Sequence, residues 1–358
     1  MTASGPAAGR PGAIDGEARE LLYDLVSIPS PSGEERAASE RLAAFFETHG
    51  REVWLDEVDN VRAPADDSVL LTSHVDTVPG EIPVEVREAA DGSGPALWGR
   101  GSVDATGPLA AMAVASVAAG ASFVGVTGEE RESRGARHLL ETRETAPDAV
   151  VNGEPSGWDG VTLGYRGLLS GTYVHTSESG HTSRPENNAI QDAIAWWSRV
   201  EARFDTDEWT PVFERVTPKP VAVEGGTSDD GLSVEATMEV QLRVPPAHAV
   251  EEVREMADAE LGPGTVRWHD SVPPVMASPR TPVARAFRAA IRGAGGDPRL
   301  LRKTGTSDMN LYAARWDRPM ATYGPGDSAY DHAPDEHLPL AEYDRAITVL
   351  TDVCERLT

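Results

Sequence analysis

His74 and Asp76 stand two apart in Ser-His-Val-Asp-Thr, residues 73–77, so an extended backbone through them sends both side chains to one face. There the imidazole can ligate a metal while the carboxylate steers the ring. Asp104 closes Gly-Arg-Gly-Ser-Val-Asp, residues 99–104. Its glycines permit a tight turn, and a single carboxylate has two oxygens with which to bridge two cations. Two adjacent acids, Glu129 and Glu130, follow the apolar run Ala-Ser-Phe-Val-Gly-Val at residues 121–126, which reads as a buried strand. The end of a core strand is where an α/β fold presents catalytic groups. Glu154 and His332 complete a set of oxygen and imidazole ligands without sulfur, which suits zinc, cobalt or manganese. Singly, each residue has a bland explanation: a structural His-x-Asp, a turn aspartate, a solvated pair of acids. Their co-occurrence at strand ends and glycine turns points to a metal-dependent centre.

Hydrophobic spacing outlines the elements that must position them. Residues 17–28 carry Leu21, Leu22, Leu25 and Val26 at helical spacing, and Pro29 and Pro31 stop that helix. Ser32-Gly-Glu-Glu35 reads as a capping box opening a second helix through Phe46. Residues 69–73 form a compact apolar strand, 110–119 a helix of small residues able to pack closely on a sheet, and 150–155 another strand end. From about Arg166 to Met276 the pattern becomes strand 168–175, helix 188–204, strand 234–244 and helix 249–261, an α+β unit. A helix over 281–292, then 304–310 and 320–323, restores the α/β rhythm. The expected fold class is α/β. A catalytic domain of residues 17–165 and 277–358, with a mixed, mostly parallel sheet flanked by helices, is interrupted by a smaller α+β domain of residues 166–276. Residues 1–16, rich in Gly, Ala and Pro, read as a disordered N-terminus.

Composition narrows the function classes. The 358-residue chain carries 58 acids against 32 bases, a net charge of −26, and only Lys219 and Lys303 are lysines. A GC-rich genome would favour arginine; a cytosol of multimolar salt would favour the acids, because at about 1 M the Debye length is only about 3 Å. Both causes acting in a halophilic archaeon is the expectation. Such a surface repels phosphate backbones, so no nucleic acid is expected as a partner. The single Cys354 excludes an internal disulfide and any cysteine-based zinc site. The first residues lack the apolar core of a signal peptide and no apolar run approaches a membrane span. A soluble, cytoplasmic protein without a membrane partner is expected.

Six ordered motifs add a resemblance that runs from about Leu21 to the C-terminus. They are Ser73-His-Val-Asp-Thr-Val-Pro79, Gly99-Arg-Gly-Ser-Val-Asp104, Thr127-Gly-Glu-Glu130, Asn152-Gly-Glu-Pro155, Ser179-Gly-His-Thr182 and Asp331-His-Ala-Pro334. In these the chain resembles the dinuclear-zinc aminoacylase and carboxypeptidase-type metallopeptidases, which include acetylornithine deacetylase and succinyl-diaminopimelate desuccinylase. The resemblance implies two divalent ions, zinc or cobalt with manganese as the third candidate. His74 and Glu154 would hold one ion and Glu130 and His332 the other, with Asp104 as the bridge. Asp76 would orient His74, and Glu129 would be the general base. The inserted domain would be a dimerisation or lid domain, implying a homodimer, and its His181 would reach the partner's site to hydrogen-bond the developing oxyanion. Arg243, Gly305 and Thr306 match positions that bind an amino-acid carboxylate, and Arg166 is a further candidate. The other six histidines match no ligand position.

Within that family, Arg302-Lys-Thr-Gly-Thr-Ser-Asp-Met-Asn310 and Tyr323-Gly-Pro-Gly-Asp-Ser328 look most like the hydrolases that release lysine or ornithine from LysW, a small acidic carrier protein. That implies hydrolysis of a linear amide in lysine or arginine biosynthesis. The rivals are an acetylornithine deacetylase or succinyl-diaminopimelate desuccinylase, and a catalytically silent metal-binding paralogue. The turn Gly225-Gly-Thr-Ser-Asp-Asp-Gly231 departs from the Asn-rich turn that precedes the carboxylate-binding strand in many relatives, which weakens the inference for Arg243.

Overall fold

A computed structural model describes residues 12–89 and 92–358, so most of the N-terminal segment expected to be disordered lies outside the described residues. The described residues divide into two compact units, one of those up to Leu163 together with 277–301 and 315–358, and one of residues 164–276 and 302–314.

The first unit is built on a mixed sheet whose strands run in the order Trp54–Leu55, Val61–Ala63, Ala121–Val126, Asp66–His74, Val150–Gly153, Met320–Tyr323 and Gly160–Tyr165. The strands from Ala121–Val126 to Met320–Tyr323 are parallel to one another and the margins antiparallel. Every residue of Ala121–Val126 is buried, as expected of a parallel strand covered on both faces. The helix Thr106–Ala119 is apolar nearly all round and buried along most of its length, so it belongs inside the layer stack. It packs against the C-terminal helix Leu340–Leu357. That helix buries Leu340, Tyr343, Ala346, Val349, Leu350, Val353 and Cys354 on one stripe, and each fully buried Leu or Val there contributes about 1.5–3 kcal/mol. A small antiparallel sheet orders His337–Pro339, Pro95–Trp98 and Glu85–Glu88.

The second unit is a four-stranded antiparallel sheet in the order Thr217–Thr227, Ser233–Val244, Gly167–Glu178, Thr265–Val272. Helices Ala189–Arg203 and Val250–Asp258 cover it, and Trp196 stacks on Tyr173 at 4.8 Å between ring centroids in its core. Asn188 caps the first of these helices with a reciprocal bond to Gln191, satisfying two otherwise orphaned N–H groups. The strands Thr217–Thr227 and Thr265–Val272 escaped the sequence reading. The first carries Pro218, Pro220, Gly225 and Gly226 and is mostly exposed, so it has neither the apolar run nor the clean alternation that marks a strand.

Two expectations need correction. The capping box at Ser32 does not form: helix Arg36–Thr48 has Glu35 at its N-cap with no side-chain cap bond. Both groups are drawn to distant partners instead, Ser32 to Asp76 and Glu35 to Arg134. Residues 302–314, assigned by sequence to the larger domain, belong to the second unit. Arg166 donates to Thr304 O at 2.8 Å, and Asn310 donates to Arg166 O and Pro273 O. Among the described residues, no helix is long and apolar enough to cross a membrane.

Candidate metal centre

The parallel sheet brings the chemistry to one edge. Ser73 pairs with Gly153 and His74 with Val126 in register, so His74, the turn after Val126 and Glu154 all emerge at the same ends of neighbouring strands. That edge is where open α/β sheets place their sites. Asp104 arrives from the turn before helix Thr106–Ala119. Gly101 in that turn has φ +82°, a left-handed conformation that favours glycine. His332 arrives from the loop after Ser328–Tyr330 with φ 60°, rare for a residue with a Cβ.

Asp104 occupies the middle. Its Oδ1 lies 3.2 Å from His74 Nε2 and its Oδ2 3.2 Å from His332 Nε2. His74 Nε2 is also 4.0 Å from Glu154 Oε1, and His332 Nε2 is 3.0 Å from Glu130 Oε1. Two groups with ligand spacing result, His74–Asp104–Glu154 and Asp104–Glu130–His332, and they share Asp104. Glu129 stands in neither group, although its charge acts on His74.

The electrostatics fit a cationic occupant. Burial opposes a proton on His74, but hydrogen bonds to Asp104 and Asp76 and the charge of Glu129 push its pKa well above the ordinary value. The hydrogen bond to Asp104, working against burial and helped by the charge of Glu130, pushes His332 up to about 9. Burial likewise opposes ionisation of Asp104, yet hydrogen bonds from His332 and His74 hold it well below the carboxylate range. Burial, then the charge of Asp104, raises Glu130. Carboxylates outnumber the two imidazoles, and the site draws positive charge to itself. A pair of divalent cations satisfies that demand with the oxygen and nitrogen donors present.

Asp76 does something besides the expected steering of His74. The His74 Nδ1 lies 2.8 Å from the backbone oxygen of Asp76 and 3.6 Å from its carboxylate, so the closer ring contact is the peptide carbonyl. The strand ends at His74. The Asp76 carboxylate accepts from the N–H groups of Glu129 at 3.0 Å and Glu130 at 3.1 Å, and from Ser32 Oγ at 2.6 Å. It thereby fixes the turn carrying both glutamates. Arg134 braces the same turn, bonding Glu35 at 2.7 Å and Thr127 Oγ1 at 3.3 Å. In sequence Ser32 stood out only as a helix cap and Arg134 not at all, because Asp76 and Glu35 lie far along the chain.

The remaining candidates lie in the second unit. Arg243 Nη1 is 3.4 Å from Thr306 Oγ1, beside Gly305, and burial lowers its pKa. Arg166 is buried, with Nε on Thr304 O and Nη1 on Thr217 Oγ1 at 2.7 Å and Val212 O at 3.1 Å. Burial, then the charges of Arg243 and Arg215, brings it to about 10. Among the described residues neither guanidinium has an ion-pair partner, and the buried Ser307 hydroxyl has no hydrogen-bond partner. A buried cation such as Arg166 without a counter-charge is costly, and the pair of guanidiniums suits an anionic ligand. His181 is exposed, with Nδ1 2.8 Å from Ser183 Oγ.

Asp56, Glu57 and His138 also meet at ligand spacing, but Asp56 is already bonded by Arg62 and Asn60. An open groove of about 700 Å³, lined by Ile28, Pro31, Val78, Ile82 and Arg100 among others, adjoins Thr77 and Thr106. None of the clustered ligand side chains lines it.

Comparison with known proteins agrees with this geometry. The sequence profile of Peptidase family M20/M25/M40 matches residues 70–356. The chain is 42% identical over 368 residues to the LysW-lysine hydrolase of Deinococcus radiodurans, covering 95% of this chain and 97% of that protein. It is 38% identical over 343 residues to a putative LysW-lysine/LysW-ornithine hydrolase of Thermococcus kodakarensis, covering 94% and 91%. Among solved structures, an M20 family metallo-carboxypeptidase from Sulfolobus solfataricus superposes with a TM-score of 0.76 at 18% identity, covering 96% of this chain and 99% of that one. A dinuclear metal binding M20 peptidase of Bacillus subtilis gives 0.67 at 15% identity, covering 94% and 96%.

Proposed function

The chain belongs to peptidase family M20/M25/M40 and is a metal-dependent hydrolase, and from that premise we propose that it releases lysine or ornithine from the LysW carrier by hydrolysing a linear amide. The observation that carries the chemistry is Asp104, whose two oxygens face His74 and His332 separately. The choice of carrier is supported by relatives that match over nearly their whole length.

In this reading His74, Asp104 and Glu154 hold one divalent ion and Asp104, Glu130 and His332 the other, zinc or cobalt before manganese. Such ions would lower the pKa of the attacking water and polarise the scissile carbonyl. Glu129 takes a proton from the attacking water onto its carboxylate and returns it to the departing amine nitrogen. Asp76 keeps Glu129 and Glu130 in register by accepting both of their N–H groups. The bond from His74 Nδ1 to the Asp76 carbonyl fixes the tautomer that leaves Nε2 as ligand. Arg243, with Gly305 and Thr306, receives the carboxylate of the released amino acid, with Arg166 behind it. His181 is the donor to the developing oxyanion.

Lysine and ornithine differ by one methylene, worth only about 1–3 kcal/mol to a pocket, so activity on both is part of the proposal. So are a homodimer, a cytoplasmic location and a high-salt working environment. The test offers the zinc- or cobalt-loaded protein, in high salt, four substrates: carrier-bound lysine, carrier-bound ornithine, acetylornithine and succinyl-diaminopimelate. Turnover of the carrier-bound amides is expected to dominate. Preference for a small acyl group would replace this reading with a deacetylase or desuccinylase, and silence on all four would favour a non-catalytic paralogue.

A further inference from the structure

Glu336 is fully buried at 0% exposure, yet it lies in the loop that carries the half-exposed His332. Its Oε1 accepts from the N–H groups of Val103 at 2.9 Å and Asp104 at 3.1 Å. Its other oxygen takes Arg100 Nη1 at 2.8 Å, and Arg100 also donates to Ala333 O at 3.3 Å and Gly80 O at 3.1 Å. One carboxylate therefore joins the turn bearing Asp104 to the loop bearing His332. The backbone joins them again where His337 pairs with Trp98, the two rings stacked at 4.1 Å.

His332 needs that support. Its φ of 60° is left-handed, a conformation that costs a residue with a Cβ about 1–3 kcal/mol unless its surroundings impose it. Half of its side chain faces solvent, 51% exposed, so packing does little to hold the ring. Burying a carboxylate is also expensive unless N–H donors surround it, and here the donors come from the turn that ends at Asp104.

We propose that Glu336 is a positioning residue, which holds Asp104 and His332 at the spacing that lets the Asp104–Glu130–His332 group bind a divalent ion. The inference rests on the two-ion reading above and adds a residue to it that touches neither ion nor substrate. Arg100 is its counter-charge and the second half of the tie. Glu336→Gln keeps an oxygen for Val103 and Asp104 but turns an amide toward Arg100, loosening the 332–336 loop while leaving every ligand in place.

The test is titration of the metal-free protein with Co(II) in high salt, followed by visible absorption and calorimetry. His332→Ala identifies which binding step belongs to the His332 group. In Glu336→Gln that step is expected to weaken by about 10–100-fold, while the other step and the thermal midpoint of the metal-free protein change far less. Arg100→Met should weaken the same step in the same direction, which keeps the question open to measurement should the first variant fail to fold. Two steps of unchanged affinity in both variants would overturn the positioning role alone. A lowered thermal midpoint with both affinities intact would also overturn it, since the tie would then be structural only. A wild-type protein with a single step would remove the two-ion reading and this inference with it.

Discussion

Glu129 and Glu130 share a turn and a formal charge, and differ in what faces their carboxylates. Glu130 Oε1 lies 3.0 Å from His332, whereas Glu129 belongs to neither ligand group. Glu129→Gln preserves the N–H that Asp76 accepts and removes the proton carrier. Metal content by elemental analysis should stay unchanged while kcat falls by about 10²–10⁴-fold; a loss of metal instead would mean that base and ligand roles are exchanged. Ser32→Ala should act more gently. It deletes one of the donors to a carboxylate and is expected to lower unfolding free energy by about 1.5–3 kcal/mol in a denaturant titration, with turnover retained. An unchanged midpoint would show that Asp76 finds another donor. The contrast between these residues also shows what a sequence can reveal. His74, Asp104 and Glu154 are legible because ligand types recur at strand ends and glycine turns. Ser32 acts on Asp76 across 44 positions and Glu336 on Asp104 across 232, and nothing local to either residue announces the partner.

Among the elements, the parallel centre of the sheet was the legible part. Ala121–Val126 and Met320–Tyr323 fall where their apolar runs place them, because a strand buried on both faces has only apolar positions to offer. The outer strands of the second unit were not legible, since an exposed edge relaxes the pattern. Close packing also lies under the site. A Cβ built on Gly153 would stand 2.5 Å from Ser73 Cβ and 2.9 Å from Met112 Sδ, between a neighbouring strand and helix Thr106–Ala119. The glycine lets Ser73 Oγ reach Gly153 O at 2.9 Å and sets where Glu154 leaves the sheet. Gly153→Ala is therefore expected to cost about 1–3 kcal/mol of stability by overpacking and to weaken metal uptake through the His74 group. A variant with wild-type melting and wild-type metal affinity would show that the strands part freely at this point.

At the scale of the whole molecule the net charge of −26 sets conditions on folding that no single contact can relieve. Self-repulsion among surface carboxylates reaches about 10 Å at about 0.1 M salt and only about 3 Å at about 1 M, so stability should rise steeply with salt over that range. Cys354 offers a direct readout. It is the single cysteine, fully buried on the C-terminal helix where that helix meets the core, and burial pushes its thiol up to about 12. An unfolded thiol ionises near about 8.5. The folded state thus holds the proton more tightly, and this contribution to stability is complete below about 8.5 and is lost as pH rises toward 12. At pH 8 the thiol should be inert to an aromatic disulfide reagent in about 1 M or higher salt, being both protonated and covered. Lowering salt toward about 0.1 M should expose it, with the rate of thiolate release following the loss of helical circular dichroism. If Cys354 stays protected and the helices stay folded at low salt, the acidic surface is not an adaptation to salt. The scarcity of lysine beside arginine would then reflect codon composition alone.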